Sequence, residues 1–65
     1  MITINGIQKE LSDSMALQQL LEQEGYDIRR IAVEINGEIV SKSLFNETVV
    51  KSGDTIEVVS FVGGG

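Results

Sequence analysis

The sequence predicts an α+β domain in which one helix covers a face of a mixed sheet of four to five strands. Three observations predict it. Two Asn-Gly dipeptides, Asn5-Gly6 and Asn36-Gly37, each sit between short alternating apolar segments, which is the pattern of tight β-hairpins. One stretch, around Leu17, Leu20 and Leu21, repeats its apolar residues at helical spacing. The run from Thr55 to Val62 is rich in β-branched residues and is the clearest strand in the chain. A single helix cannot bury its own apolar stripe, so it must lie on the sheet.

The elements follow in order. Ile2-Thr3-Ile4 alternates as a strand does, Asn5-Gly6 turns the chain, and Ile7, Lys9 and Leu11 return at period two, so the first hairpin spans about Met1 to Leu11. Ser12, Asp13 and Ser14 are all competent helix caps. The helix is expected from about Ser14 to Glu24, ended by Gly25, which tolerates the left-handed conformation of a helix stop. Glu22 and Glu24 lie in its last turn, where the helix dipole disfavours anions. Ile31, Val33 and Ile35 alternate with Ala32 and Glu34 in a third strand. Asn36-Gly37 turns it into Glu38-Ile39-Val40. Ser41 to Glu47 reads as a loop with a helical turn near Leu44-Phe45, and Thr48-Val49-Val50 as a short strand. After the turn Lys51-Ser52-Gly53-Asp54, the last strand is expected in the middle of the sheet, because it is the most apolar. The expected core is Ile2, Ile4, Leu17, Leu20, Leu21, Val33, Ile35, Ile56 and Val58.

Composition narrows the function. A chain of 65 residues buries only about 60% of the surface its unfolded form exposes, which leaves little room for an enclosed active site. There is no cysteine and no histidine, hence no thiolate, no disulfide and no ordinary general base near neutral pH. These absences argue against an enzyme and suit a protein that is itself a substrate. No cofactor is expected. Ten acidic residues against five basic ones give a net charge of −5, which repels nucleic acid and anionic membranes and favours a protein partner with a basic surface. The same charge also serves simply to keep a small domain soluble. The N-terminal residues carry no signal-peptide or membrane-spanning pattern, so the expected location is the cytoplasm.

Gly63, Gly64 and Gly65 follow the last strand directly. Three glycines add nothing to a core. The expected organisation is a domain over 1–62 and a flexible tail over 63–65 that carries the α-carboxylate. Such a tail can thread a narrow channel into another protein, and its last carbonyl is unshielded by any side chain. Activation as an acyl adenylate would make that carboxylate an electrophile, and with no cysteine in the chain no internal thiol can intercept it. Terminal glycines are also what a frayed end or an appended linker leaves. Here no serine or other linker residue separates them from the strand. If Ile56 and Val58 point inward, Val59 and Phe61 point outward by alternation. An exposed apolar pair beside the tail is a candidate docking surface, and its alternative is ordinary surface packing against Phe45.

Three segments carry a family resemblance: Ala32-Val33-Glu34-Ile35-Asn36-Gly37-Glu38-Ile39-Val40, Gly53-Asp54-Thr55-Ile56-Glu57-Val58-Val59, and Phe61-Val62-Gly63-Gly64-Gly65. With these the chain resembles the ThiS-type sulfur carriers of thiamine biosynthesis, which have the ubiquitin-like β-grasp fold. The resemblance implies adenylation of the Gly65 carboxylate by an ATP-dependent enzyme of the ubiquitin-activating type. It then implies replacement of the adenylate by sulfur from a cysteine desulfurase relay, and delivery of the thiocarboxylate sulfur to thiazole synthase. Two positions depart from the family pattern. Ser41-Lys42 stands where Pro-Arg is frequent, and Phe45 where tryptophan is frequent. Three other readings share parts of the pattern. The small subunit of molybdopterin synthase is similar in fold and tail but is usually longer. A ubiquitin-like protein modifier is joined to target lysines, and lysine conjugates would reveal it. A β-grasp module contacting RNA is opposed by the acidic balance and by a basic content limited to the adjacent pair Arg29-Arg30 and scattered lysines.

Overall fold

The computed structural model describes residues 1–61. Strands β1 (Ile2–Ile4), β2 (Ile7–Lys9), β4 (Ile31–Ile35), β5 (Glu38–Val40) and β7 (Thr55–Ser60) form a five-stranded sheet in the order β2-β1-β7-β4-β5. The most apolar strand does lie in the middle: β7 runs parallel to β1 and antiparallel to β4. Helix α1 (Leu17–Gln23) buries Leu17, Leu20 and Leu21 in the core it shares with the sheet. This is the mixed sheet on one helix that the sequence predicts.

Both hairpins turn where expected. Asn5 and Gly6 have φ of 49° and 81°, and Asn36 and Gly37 have φ of 52° and 85°. Positive φ at both central positions is what makes Asn-Gly the favoured pair there. The first hairpin is shorter than the period-two pattern implies. Its return strand stops at Lys9, and Leu11 instead packs against the core from outside the sheet.

The helix also begins later than expected, at Leu17, and none of Ser12, Asp13 and Ser14 caps it. Met15 and Ala16 form β3, a short strand paired antiparallel with β6 (Val49–Val50) in a second, two-stranded sheet. Once those two residues are extended, the cap falls on Ala16, which has no side-chain acceptor. The unpaired N–H groups of the first turn find backbone carbonyls instead: Leu17 N donates to Thr48 O at 2.7 Å and Gln18 N to Phe45 O at 3.0 Å. At the other end Gly25 has φ 85°. Gly25 N donates to Glu22 O and Tyr26 N to Leu21 O, the two bonds of a Schellman stop. Glu24 pairs with Lys9 at 2.9 Å, which accounts for one of the two anions in the last turn. Glu22 has no such account.

Eight of the expected core residues are buried, and Ile35 is only partly so. Ile35 is the last residue of β4 before its turn, at the end of the sheet. The core also takes Ile31, Phe45 and Val50. Phe45 follows the 3₁₀ turn Lys42–Leu44 and is fully buried, while the rest of the expected loop from Ser41 to Glu47 stays exposed, so that loop sends a single anchor into the core.

Candidate functional site

The site is built on β7, the strand that precedes the three terminal glycines in sequence. Two asparagines hold it. The Asn5 side chain spans Val58: its Oδ1 accepts from Val58 N at 2.7 Å and its Nδ2 donates to Val58 O at 3.1 Å. The chain of β1 turns away after Ile4, and this amide continues the ladder in its place. Asn36 does the equivalent at the start of β7, with Oδ1 accepting from Thr55 N at 2.9 Å and Nδ2 donating to Asp54 Oδ1 at 3.0 Å. Asp54, only 5% exposed, also accepts from Lys51 N at 3.0 Å. Burial pushes the Asp54 carboxyl up, but the Lys51 N–H, the Asn36 amide and the Lys51 charge outweigh it and hold the group below the usual carboxylate range.

Pairing with β4 continues to the last described residue, where Phe61 N donates to Arg30 O at 2.7 Å. Basic groups gather at this root. Arg29 and Arg30 lie in the 3₁₀ turn Ile28–Arg30, and the Lys42 ammonium donates to Arg29 O. The two arginines are exposed and both reach Asp27, at 3.2 and 3.8 Å. The side-chain hydrogen bond from Arg29, followed by the Arg29 backbone N–H, holds the Asp27 carboxyl below its ordinary value.

Along β7, Ile56 and Val58 are buried, whereas Val59 is 61% and Phe61 54% exposed. Phe61 does not pack away against Phe45, which is inside the core. Val59 stands opposite Ala32, and Glu57 opposite Glu34, which stands opposite Ile39. These residues line a shallow groove of about 130 Å³ on the face turned away from α1. A larger hollow of about 370 Å³, lined by Met1, Glu10, Leu11 and Ser12, lies at the end of the sheet where β7 begins, away from the tail root. Gly63, Gly64 and Gly65 lie outside the described residues. Among the described residues no three acidic side chains cluster to hold a metal ion, and no helix is long and apolar enough to cross a membrane.

Sequence reasoning placed Val59 and Phe61 on an outward face but missed Glu34, Glu57 and Ile39 beside them. Their membership needed the register between strands, which alternation within one strand does not give. The side-chain role of Asn5 was also missed, because Asn-Gly was read for its backbone conformation alone.

Comparison with known proteins agrees with this geometry. The ThiS family model matches residues 2–65. A thiazole synthase of Paramagnetospirillum magneticum is 45% identical over 64 residues, covering 98% of this chain but 20% of that protein. The chain thus spans about a fifth of that relative's length. The sulfur carrier protein ThiS of Bacillus subtilis is 36% identical over 66 residues, and the match covers the whole of both chains. The crystal structure of the thiamine biosynthesis protein ThiS from Geobacter metallireducens superposes with a TM-score of 0.82 at 33% identity, covering 98% of this chain and 97% of that one. A family match over nearly the whole sequence, a full-length relative and a shared fold agree: the chain belongs to the ThiS family.

Proposed function

We propose that this protein carries sulfur as a thiocarboxylate on Gly65 and delivers it for thiazole formation in thiamine biosynthesis. The observation that carries the reading is the full-length match to a ThiS sulfur carrier, joined to a central strand that runs, clamped on one edge by Asn5 and paired on the other with β4, toward three glycines. The β-grasp body over 1–62 holds and presents; the tail over 63–65 reacts.

The chemistry belongs to the partners. A Gly65 carboxylate oxygen attacks the α-phosphorus of ATP in an adenylating enzyme of the ubiquitin-activating type, and pyrophosphate leaves. The terminal sulfur of a persulfide, supplied through a cysteine desulfurase relay, adds to the acyl carbon, and AMP leaves with the bonding pair. A thiol then cleaves the acyl disulfide so formed, itself oxidised into a disulfide, and the chain ends in a thiocarboxylate. Thiazole synthase takes that sulfur, and the carboxylate returns for another cycle. The match to a thiazole synthase supports this partner. The protein itself catalyses none of these steps and works in the cytoplasm beside these enzymes. Gly63 and Gly64 provide a thread without side chains, and Val59 and Phe61 anchor the activating enzyme at its base.

The test is pyrophosphate release by the activating enzyme with the full chain and with a chain lacking Gly65. Release should depend on the full chain and vanish with the shortened one. Equal release from both would refute the assignment to Gly65.

A further inference from the structure

The outward face of the sheet carries an arrangement that works against the stability of the free domain. Glu34 of β4 and Glu57 of β7 stand directly opposite each other. Both fall on the face turned away from α1, because their neighbours Val33 and Val58 are buried. Like charges placed this way repel. The ion pairs among the described residues are Lys9–Glu24, Arg29–Asp27, Arg30–Asp27 and Lys51–Asp54, so neither glutamate is compensated there.

The surroundings of the pair are apolar and open. Ile39, directly opposite Glu34, is 79% exposed. Exposed Val59 and Ala32 form the next row toward the tail. With the two glutamates they line the shallow groove of about 130 Å³, which has room for the head of a side chain. An unpartnered apolar face with two carboxylates at its centre is complementary to an apolar surface with a cation at its centre. A guanidinium fits better than an ammonium, because its planar fork can donate to two carboxylates at once. Its weaker hydration suits a site that docking dries. A divalent cation fits poorly, since it seeks six or more oxygens and, among the described residues, no third acidic group joins the pair.

We infer that this face receives an arginine of the adenylating enzyme between Glu34 and Glu57, while Ile39 and Val59 pack against apolar residues around that arginine. The inference rests on the carrier reading for the identity of the partner. It explains why the repulsion is kept: the free chain carries it, and the arriving cation relieves it. Removing the pair should therefore act in opposite directions on folding and on binding, which a purely structural role would not do.

The experiment compares the wild-type chain with Glu57→Gln and with the double variant Glu34→Gln/Glu57→Gln. Thermal midpoints of the free proteins are measured, with calorimetric Kd for the purified adenylating enzyme at low and high salt and kcat for pyrophosphate release at saturation. The variants should melt at or above the wild-type midpoint. The double variant should bind at least about tenfold more weakly, with a shallower salt dependence and unchanged kcat. An unchanged Kd, or a weakened Kd with the wild-type salt dependence, overturns the inference. The carrier reading is scored separately from the mass of Gly65 in the same samples. A wild-type chain that binds but gains no sulfur refutes the carrier reading alone. A double variant that binds as tightly as a sulfur-accepting wild type refutes the docking inference alone.

Discussion

Replacing Asn5 separates the two tasks that one residue performs. Its backbone sits at φ 49°, and its side chain makes two partly buried hydrogen bonds to Val58. Each such bond contributes about 0.5–1.5 kcal/mol, so losing both costs about 1–3 kcal/mol. Alanine at this φ adds roughly 1–2 kcal/mol of left-handed strain; glycine does not. Asn5→Gly should therefore lose about 1–3 kcal/mol, and Asn5→Ala about 1–2 kcal/mol more. Asn5→Asp keeps the shape and the acceptor for Val58 N but turns a carboxylate oxygen toward Val58 O, so it should fare no better than glycine at neutral pH. Urea unfolding followed by circular dichroism reads these differences as shifts in midpoint at constant slope. Equal midpoints for the glycine and alanine variants would remove the backbone half of the argument. An aspartate variant as stable as wild type would remove the clamp.

Other consequences follow from the same structure. Leu20→Ala or Val33→Ala, each removing part of a buried core side chain, should cost on the order of 2–4 kcal/mol in the same unfolding assay. Asp54 has a folded-state pKa below its unfolded value, so its contribution is present above the unfolded pKa and is lost as pH falls through the folded one. An Asp54→Asn variant, measured by unfolding from neutral pH downward, should lose about 1–3 kcal/mol at pH 7 and show a weaker loss of stability in acid than wild type. Phe61→Asp should leave the unfolding midpoint within about 0.5 kcal/mol of wild type, as surface changes do, while weakening titrated binding to the adenylating enzyme. Gly64→Ala should also leave stability unchanged and should slow adenylation at saturating enzyme, because a Cβ thickens the thread and obstructs the channel it must enter.

The fold was legible where local chemistry and global arrangement agree. Both Asn-Gly turns, the Gly25 helix stop and the central place of β7 follow from residues read a few at a time. The helix start was not legible. Three good caps at Ser12–Ser14 pointed to an early start, but Met15 and Ala16 are drawn into pairing with Val49 and Val50, more than thirty positions away in sequence. Local propensity does not register such a partner. Phe45 was hidden for a related reason: one aromatic in a polar stretch gives no period, and its burial depends on the helix that folds over it. Of the candidate site, the outward pair Val59 and Phe61 came from alternation along one strand. Glu34, Glu57 and Ile39 came only with the register of three strands. The glycines of the tail were found by subtraction, since turns and helix ends use Gly6, Gly25, Gly37 and Gly53 and leave the other three unexplained.

The central claim is that Gly65 carries the sulfur. Its most direct test is the intact mass of the protein after incubation with ATP, a sulfur donor and the adenylating enzyme, followed by fragmentation to locate the change. The account predicts replacement of one oxygen by sulfur, confined to the Gly65 carboxyl and absent from a chain lacking Gly65. Sulfur accepted by the shortened chain, or found on any other residue, would contradict it.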